Sequence, residues 1–276
     1  MLQNKIIPPL AALLVFAHAA AAQELANYRA VYDMEPTYIE QGVKAMPLDG
    51  QLAYEVTGSD CKGWTVTSDL VNRATDQATG LRVSEIKSRS FETGDGLTMT
   101  VSQQESLNDR LTDDQEIKYT REAVNSEGAV NITGSKVLSF KIPPEALLPT
   151  QHQKHLLDIA NKGATHDVSL VYDGSDGDKQ YRIISLIGPK RLPVTQTAHE
   201  LSGLSNLASW SFQLGYYPID DNKSDTPEFQ ASFIMYENGV STEMLFDYGT
   251  YTMKAKYTHL ELLPAPACPS TDKKPQ

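Results

Sequence analysis

The chain has 276 residues, 40% of them hydrophobic and 21% charged. That suffices for one large all-β domain or two small ones; it is too apolar for a disordered chain and too interrupted for a polytopic membrane protein. Lys and Arg total 24 against 35 acidic residues, a formal net charge of −11, and an acidic chain without a basic cluster excludes nucleic acid and anionic headgroups as electrostatic partners.

Residues 1–22 read as a signal peptide. Lys5 precedes an apolar run from Ile6 to Ala17, and the small residues Ala19 to Ala22 follow. This charged start, short apolar core and small-residue end mark an exported chain. The apolar run, broken by Pro8 and Pro9, is too short to span a bilayer. Cleavage is expected after Ala22, with Ala19 as the competing site, so residues 23–276 would form the mature chain without a transmembrane segment. In an oxidising compartment its two cysteines, Cys61 and Cys268, are expected to pair. Such a bridge would staple the C-terminal tail back onto the N-terminal part of the fold. No CxxC motif points to redox catalysis.

Period-2 alternation dominates the mature region and predicts strand after strand. Leu52, Tyr54 and Val56 share one face, as do Leu97, Met99 and Val101, and Ile117, Tyr119 and Ala123. The same holds for Val168, Leu170 and Tyr172. Farther on, Trp210, Phe212, Leu214 and Tyr216 alternate with polar or small residues, and Phe229, Ala231, Phe233 and Met235 repeat the pattern. Tyr251, Met253, Ala255 and Tyr257 line a last run, whose phase switches to Leu260 and Leu262 through a bulge expected near His259. Asn238-Gly239 predicts a type I′ hairpin turn. Asp95-Gly96, Glu127-Gly128 and Tyr248-Gly249 mark other tight connections. The runs add up to about fourteen strands joined mostly to sequence neighbours, hence one antiparallel meander that must close or curl.

One short helix is expected over residues 151–162. Pro143-Pro144 ends the strand before it, Thr150 with Gln153 forms a capping-box pattern, and Gly163 closes it. It is expected to plug the concave side of the sheet. The polar stretch from Pro218 to Pro227 reads as an exposed loop, so 23–276 is taken as a single domain.

Candidate chemistry is thin. His152, His155 and Asp158 lie at helical spacing, yet positions i, i+3 and i+6 drift around a helix and cannot converge on one metal ion. His166, His199 and His259 sit in unrelated segments. Asp173-Gly174-Ser175-Asp176-Gly177-Asp178 lacks the calcium-loop ligand pattern and reads as a polar hairpin loop. Gly203-Leu204-Ser205-Asn206-Leu207 lacks the second glycine of a nucleophile elbow. Ser59 and Cys61 adjoin, but a bridged cysteine cannot attack. The pairs Asp113-Asp114 and Asp220-Asp221 fall in turn-like stretches, and the sequons at Asn131 and Asn222 carry no weight. No catalytic, metal or cofactor site is expected. The aromatics on the alternating faces either fill the core or line a groove for an acyl chain or an extended peptide.

The residues also carry a resemblance. Tyr28-Arg29-Ala30-Val31-Tyr32-Asp33, then Tyr54-Glu55-Val56-Thr57-Gly58-Ser59-Asp60-Cys61, resemble the EipB-type envelope-integrity proteins of alphaproteobacteria. So do Pro149-Thr150-Gln151-His152 and Tyr172-Asp173-Gly174-Ser175-Asp176-Gly177. The stretch Tyr236-Glu237-Asn238-Gly239-Val240-Ser241, Asp247-Tyr248-Gly249 and Leu260-Glu261-Leu262-Leu263-Pro264 continues the match in collinear order. Asn27 and Met34-Glu35-Pro36 depart from the pattern. This family, long catalogued only as a domain of unknown function, implies a periplasmic protein folded as a bent, spiral-like antiparallel sheet with one helix. It implies a bridge between the positions of Cys61 and Cys268. It further implies a role in envelope integrity with no enzymatic reaction and no catalytic residues. Two functions follow: a structural or interaction factor acting on envelope proteins or lipids, or a carrier of a lipid or lipidated protein in the concave face.

Overall fold

The computed structural model describes residues 24–193, 203–219 and 225–268. The expected signal peptide lies outside them, as do His199, Asp220-Asp221, Asn222 and the chain end after Cys268. Eight strands come first: β1 (Asn27–Ile39), β2 (Ala45–Ser59), β3 (Gly63–Asp76), β4 (Gly80–Glu92), β5 (Thr98–Leu107), β6 (Arg110–Arg121), β7 (Gly128–Gly134) and β8 (Leu138–Ile142). The helix α1 (Pro149–Asn161) follows. Six more strands follow among the described residues: β9 (His166–Val171), β10 (Tyr181–Ile187), β11 (Ser209–Pro218), β12 (Phe229–Tyr236), β13 (Ser241–Asp247) and β14 (Tyr251–Leu263).

All fourteen strands belong to one antiparallel sheet in the order β8-β7-β6-β5-β4-β3-β2-β1-β14-β13-β12-β11-β10-β9. The first strand therefore pairs with the last, and the two edges are β8 and β9, on either side of α1. The edges do not pair with each other, so the sheet curls without closing. Leu147, between β8 and α1, makes an isolated parallel bridge to Val171. Its N–H bonds the Leu170 carbonyl at 2.8 Å, and its carbonyl accepts the Tyr172 N–H at 3.0 Å.

Alternation and register together build the inner face. Tyr32 lies opposite Leu52, Leu52 opposite Leu70, and Leu70 opposite Ile86, so apolar pairs stack across four strands. On the other half Trp210 faces Met235, and Phe212 stacks on Phe233 with ring centroids 5.6 Å apart. These faces bury two separate cores. The first joins β1–β3 and β9–β14 with Leu156, Leu157 and Ala160 of α1. The second gathers Met99, Val101, Ile117, Tyr119, Val130 and Ile132 from β5–β7, closed by Leu148 and Tyr172.

Several details depart from expectation. The Val168, Leu170 and Tyr172 face of β9 is not its face toward the first core. Ser169 and Val171 point there, while Val168 is 59% exposed. Leu170 and Tyr172 pack instead into the second core. The edge strand is thus wedged between two layers, so both faces carry apolar residues. Past Arg121 the β6 strand ends and Ala123 sits in a turn, so it does not share the inner face with Tyr119. At the β12–β13 hairpin only Gly239 has a left-handed φ, +85°; Asn238 does not. Asn238 instead uses its Oδ1 to accept the Val240 N–H. The two consecutive positive φ values of a type I′ turn occur at Asn108 and Asp109, 49° and 60°, between β5 and β6. The expected bulge is present, with the register of β1 and β14 slipping between Val31 and Tyr32, opposite Thr258.

The Cys61 and Cys268 sulfurs are bonded, with their Cα atoms 5.8 Å apart and 207 residues between them in sequence. Cys268 follows β14, and Cys61 opens the β2–β3 turn, so the link ties the tail to the neighbourhood of the helix. Closing so long a loop in the unfolded chain is worth about 2–5 kcal/mol. Cys268→Ser should therefore lower the melting temperature of the oxidised protein and expose the segment after Leu263 to proteolysis. Coincident melting curves of the wild type with and without reductant would show the bridge to be energetically idle.

Candidate functional site

The helix is the element that departs from the sheet, and its N-terminus is built by residues distant in sequence. It begins at Pro149, with Leu148 at the N-cap. A leucine side chain accepts no hydrogen bond, so the expected Thr150 and Gln153 capping box does not form. Gln151 accepts the Leu148 N–H at 3.2 Å, the reciprocal half of such a box. The Thr150 N–H donates to Glu92 Oε2 at 2.8 Å. Glu92 reaches it from the end of β4, where it shares the inner face with Ile86, Ser88 and Ser90. Arg121, also buried, donates to the Gly96 carbonyl at 2.9 Å and to Gln151 Oε1 at 3.2 Å. Gln153 donates to the Gly239 carbonyl at 2.8 Å.

A carboxylate suits the positive end of a helix, but this one is almost fully buried. Desolvation pushes Glu92 up to about 7, against the opposing pull of the Thr150 and Gln151 hydrogen bonds and of Lys154. His152 is buried one turn away. Burial lowers its pKa to about 4, with Asp167 raising and His155 lowering it, and its Nε2 has no hydrogen-bond partner among the described residues.

The histidine set does not converge. His155 Nε2 lies 3.0 Å from Asp167 Oδ1, and Asp158 binds Lys162 at 2.6 Å on the solvent side. Among the described residues no group of three metal-ligating side chains forms. Lys154 pairs with Asp60 and lies over the Trp64 ring, 5.2 Å from its centroid. Ser59 is fully buried against the disulfide, its Oγ 3.2 Å from Cys61 Sγ. Leu204 of the Gly203–Leu207 stretch is fully buried in the first core. Asp113 and Asp114 lie within β6, opposite Glu105 and Gln104, rather than in a turn; Asp113 accepts from Gln115, and the Asp114 N–H donates to Ser135 Oγ at 2.9 Å.

The acidic loop after β9 has a definite position. Asp173 Oδ1 accepts from the Ser175 N–H and hydroxyl at 2.9 and 2.7 Å, and burial raises its pKa. Gly174 sits at φ +72°, where a Cβ would come 3.1 Å from Val101 and 3.4 Å from Ile117. The loop thus rests directly on the inner wall of β5 and β6. Lys136 and Asp178, 2.5 Å apart, tie its far end to the segment before β8.

Beside that loop the inner wall is unfilled. A cavity of about 280 Å³ is bounded by Ser68, Ser88, Ser90 and Gln103 on β3–β5, with Asp173 and Ser175 across from them. Leu52, Leu70, Ile86, Val101 and Glu105 complete the lining. Register explains the pattern: Ser68 lies opposite Ser88, and Ser88 opposite Gln103, in one row across three strands. The serine hydroxyls have no hydrogen-bond partner among the described residues. The cavity falls between the two cores, its lining residues Leu52 and Leu70 packing against the first and Val101 belonging to the second. Glu92 and this polar row went unread in the sequence, although the period-2 run Ile86, Ser88, Ser90, Glu92 held the signal. The expected aromatics, in contrast, mainly pack on one another: Tyr216 lies 5.7 Å from Tyr181 and 5.2 Å from Phe229.

A family model described as EipB-like matches residues 19–264. The cell envelope integrity protein EipB of Brucella abortus (strain 2308) is 24% identical over 254 residues, covering 89% of this chain and 87% of that protein. The crystal structure of a β-barrel-like protein of a domain of unknown function, also from Brucella abortus, superposes with a TM-score of 0.80. It is 22% identical and covers 88% of this chain and 100% of its own.

The Glu92 shift carries a pH dependence. Its carboxyl keeps its proton to about 7 in the fold but to 4.5 as a free side chain, so the folded state binds more protons within that window. Stability from this group is complete below the window and falls as pH rises through it, by about 3 kcal/mol. Glu92→Gln keeps an oxygen for the Thr150 and Gln151 N–H groups and removes the charge. Relative to wild type, its melting temperature should rise between about pH 5 and about pH 8. An unchanging difference across that range would mean that Glu92 ionises freely.

Proposed function

Because the chain belongs to the EipB-like family, we propose that it is a periplasmic, non-enzymatic factor that supports cell-envelope integrity by binding other envelope components. On this reading residues 1–22 are a cleaved signal peptide. Residues 23–276 form one β-spiral domain whose tail the disulfide holds. The observation that carries the reading is the match along nearly the whole chain to a protein named for envelope integrity. The candidate residues read from the sequence fit it in part: Asp158 pairs with Lys162, Cys61 is bonded to Cys268, and His155 faces Asp167 rather than joining His152 and Asp158.

The concave wall suits binding better than the sheet edges do. Free edges can recruit a partner strand, but here both are blunted. Leu147 already occupies backbone groups along β9, and the Gln180 carboxamide reaches the Lys141 carbonyl on β8 at 3.4 Å. The alternative of an acyl-chain carrier fits the cavity less well. An acyl chain there would strip water from Ser68, Ser88, Ser90 and Gln103, at about 1–3 kcal/mol for each group left unsatisfied.

Deleting the gene from its host should sensitise cells to detergents and β-lactams. The full-length gene should restore resistance and a version lacking residues 2–22 should not. Normal resistance in the deletion strain would overturn the envelope role.

A further inference from the structure

We propose that the cavity between the two cores binds one ring of a neutral, amide-bearing sugar. The proposal rests on the interaction reading above and names the ligand chemistry. The polar row Ser68, Ser88 and Gln103 runs across β3, β4 and β5, with neighbouring strands about 4.8 Å apart. Its serine hydroxyls face open space and lack protein partners among the described residues. The Gln103 amide nitrogen reaches Glu105 Oε1 at 3.2 Å and the Ser175 carbonyl at 3.4 Å. Its own carbonyl oxygen has no such partner among the described residues, so it can accept from a ligand amide N–H.

Charge and polarity narrow the ligand class. The lining holds two carboxylates, Glu105 and Asp173, and no cationic side chain, which disfavours phosphate, acidic sugars and fatty-acid carboxylates. The hydroxyl row disfavours a hydrocarbon chain, which cannot satisfy it. A pyranose ring meets both demands. Its hydroxyls donate to the carboxylates and exchange hydrogen bonds with the serines. Its C–H face rests on the stripe formed by Leu70, Ile86 and Val101. An acetamido group pairs with Gln103 and places its methyl against that stripe. A volume of about 280 Å³ lies just below the usual range of small-molecule sites, which matches a single ring with the rest of a glycan running outward.

Calorimetric titration of the disulfide-intact mature chain with the tetramer of N-acetylglucosamine tests this. Saturable binding is expected, with maltotetraose about fivefold weaker for want of the amide contact. Ser88→Ala should weaken binding about fivefold, and Ser88→Leu, which fills the space, about tenfold or more. Thr67→Ala, on the opposite face of β3, should leave it unchanged, and unaltered melting curves verify folding. Three results would overturn the proposal: no saturable binding up to millimolar tetramer, equal affinity in Ser88→Leu, or binding of palmitate that Ser88→Leu strengthens. An envelope phenotype without sugar binding discards this inference alone. Sugar binding without a phenotype discards the envelope role instead.

Discussion

The architecture depends on one strand being apolar on both faces. β9 turns Val171 into the first core and Leu170 into the second, where Tyr172, the residue just past the strand, joins it. A strand in an open sheet ordinarily buries one face and wets the other. Here the sheet curls until the inner wall of β5–β8 lies over the outer face of its own far edge. Phe140 meets Tyr172 edge-on at 5.8 Å, and Tyr119 lies 6.5 Å from it. Tyr172 therefore acts as the rivet between successive layers, and its hydroxyl donates to the Gly177 carbonyl at 2.9 Å. A sheet of this length cannot lie flat, and overlap is how it buries its wall without joining its edges.

The helix solves the problem that overlap creates. Chain must pass from β8 to β9, from one edge of the sheet to the other, and α1 fills the end of the roll while making that crossing. Its own sequence supplies a poor start, because Leu148 is apolar. The missing acceptor comes from Glu92, and Arg121 stiffens the same corner through Gly96 and Gln151. A buried carboxylate at a helix N-terminus orders three segments at once, at the cost of desolvating it. The disulfide reaches the same region from another side, since Asp60, next to Cys61, pairs with Lys154 of α1.

Much of this was legible in the residues. Unbroken alternation from Trp210 to Tyr216 and from Phe229 to Met235 reads correctly because both strands bury a single face. The cysteine count and the double proline after Ile142 are equally local signals. What escaped reading depends on long-range geometry. β9 defeats the period-2 rule because two layers claim its two faces. The cap of α1 comes from Glu92, 58 residues away, so a local capping box assigned the start to the wrong residues. The Asn238-Gly239 turn misled because Asn tolerates a positive φ without requiring it, and here its side chain finds a better use bonding Val240. The serine row was invisible because a Ser in a strand reads as solvent-facing, whichever wall it occupies.

That row follows from the same overlap. Tyr172 and Leu148 cover the inner wall at β5–β8, and the helix with β9–β14 covers it at β1 and β2. Between them, where β3 and β4 carry Ser68, Ser88 and Ser90, the Asp173 to Ser175 loop lies opposite. Leucines at Ser68 and Ser88 would extend the stripe of Leu70 and Ile86 and bring the two cores toward contact. The chain instead keeps this wall wettable while surrounding it with aliphatic side chains. Hydroxyls, a carboxamide and two carboxylates set among Leu, Ile and Val give this stretch of wall polar edges and an apolar face together.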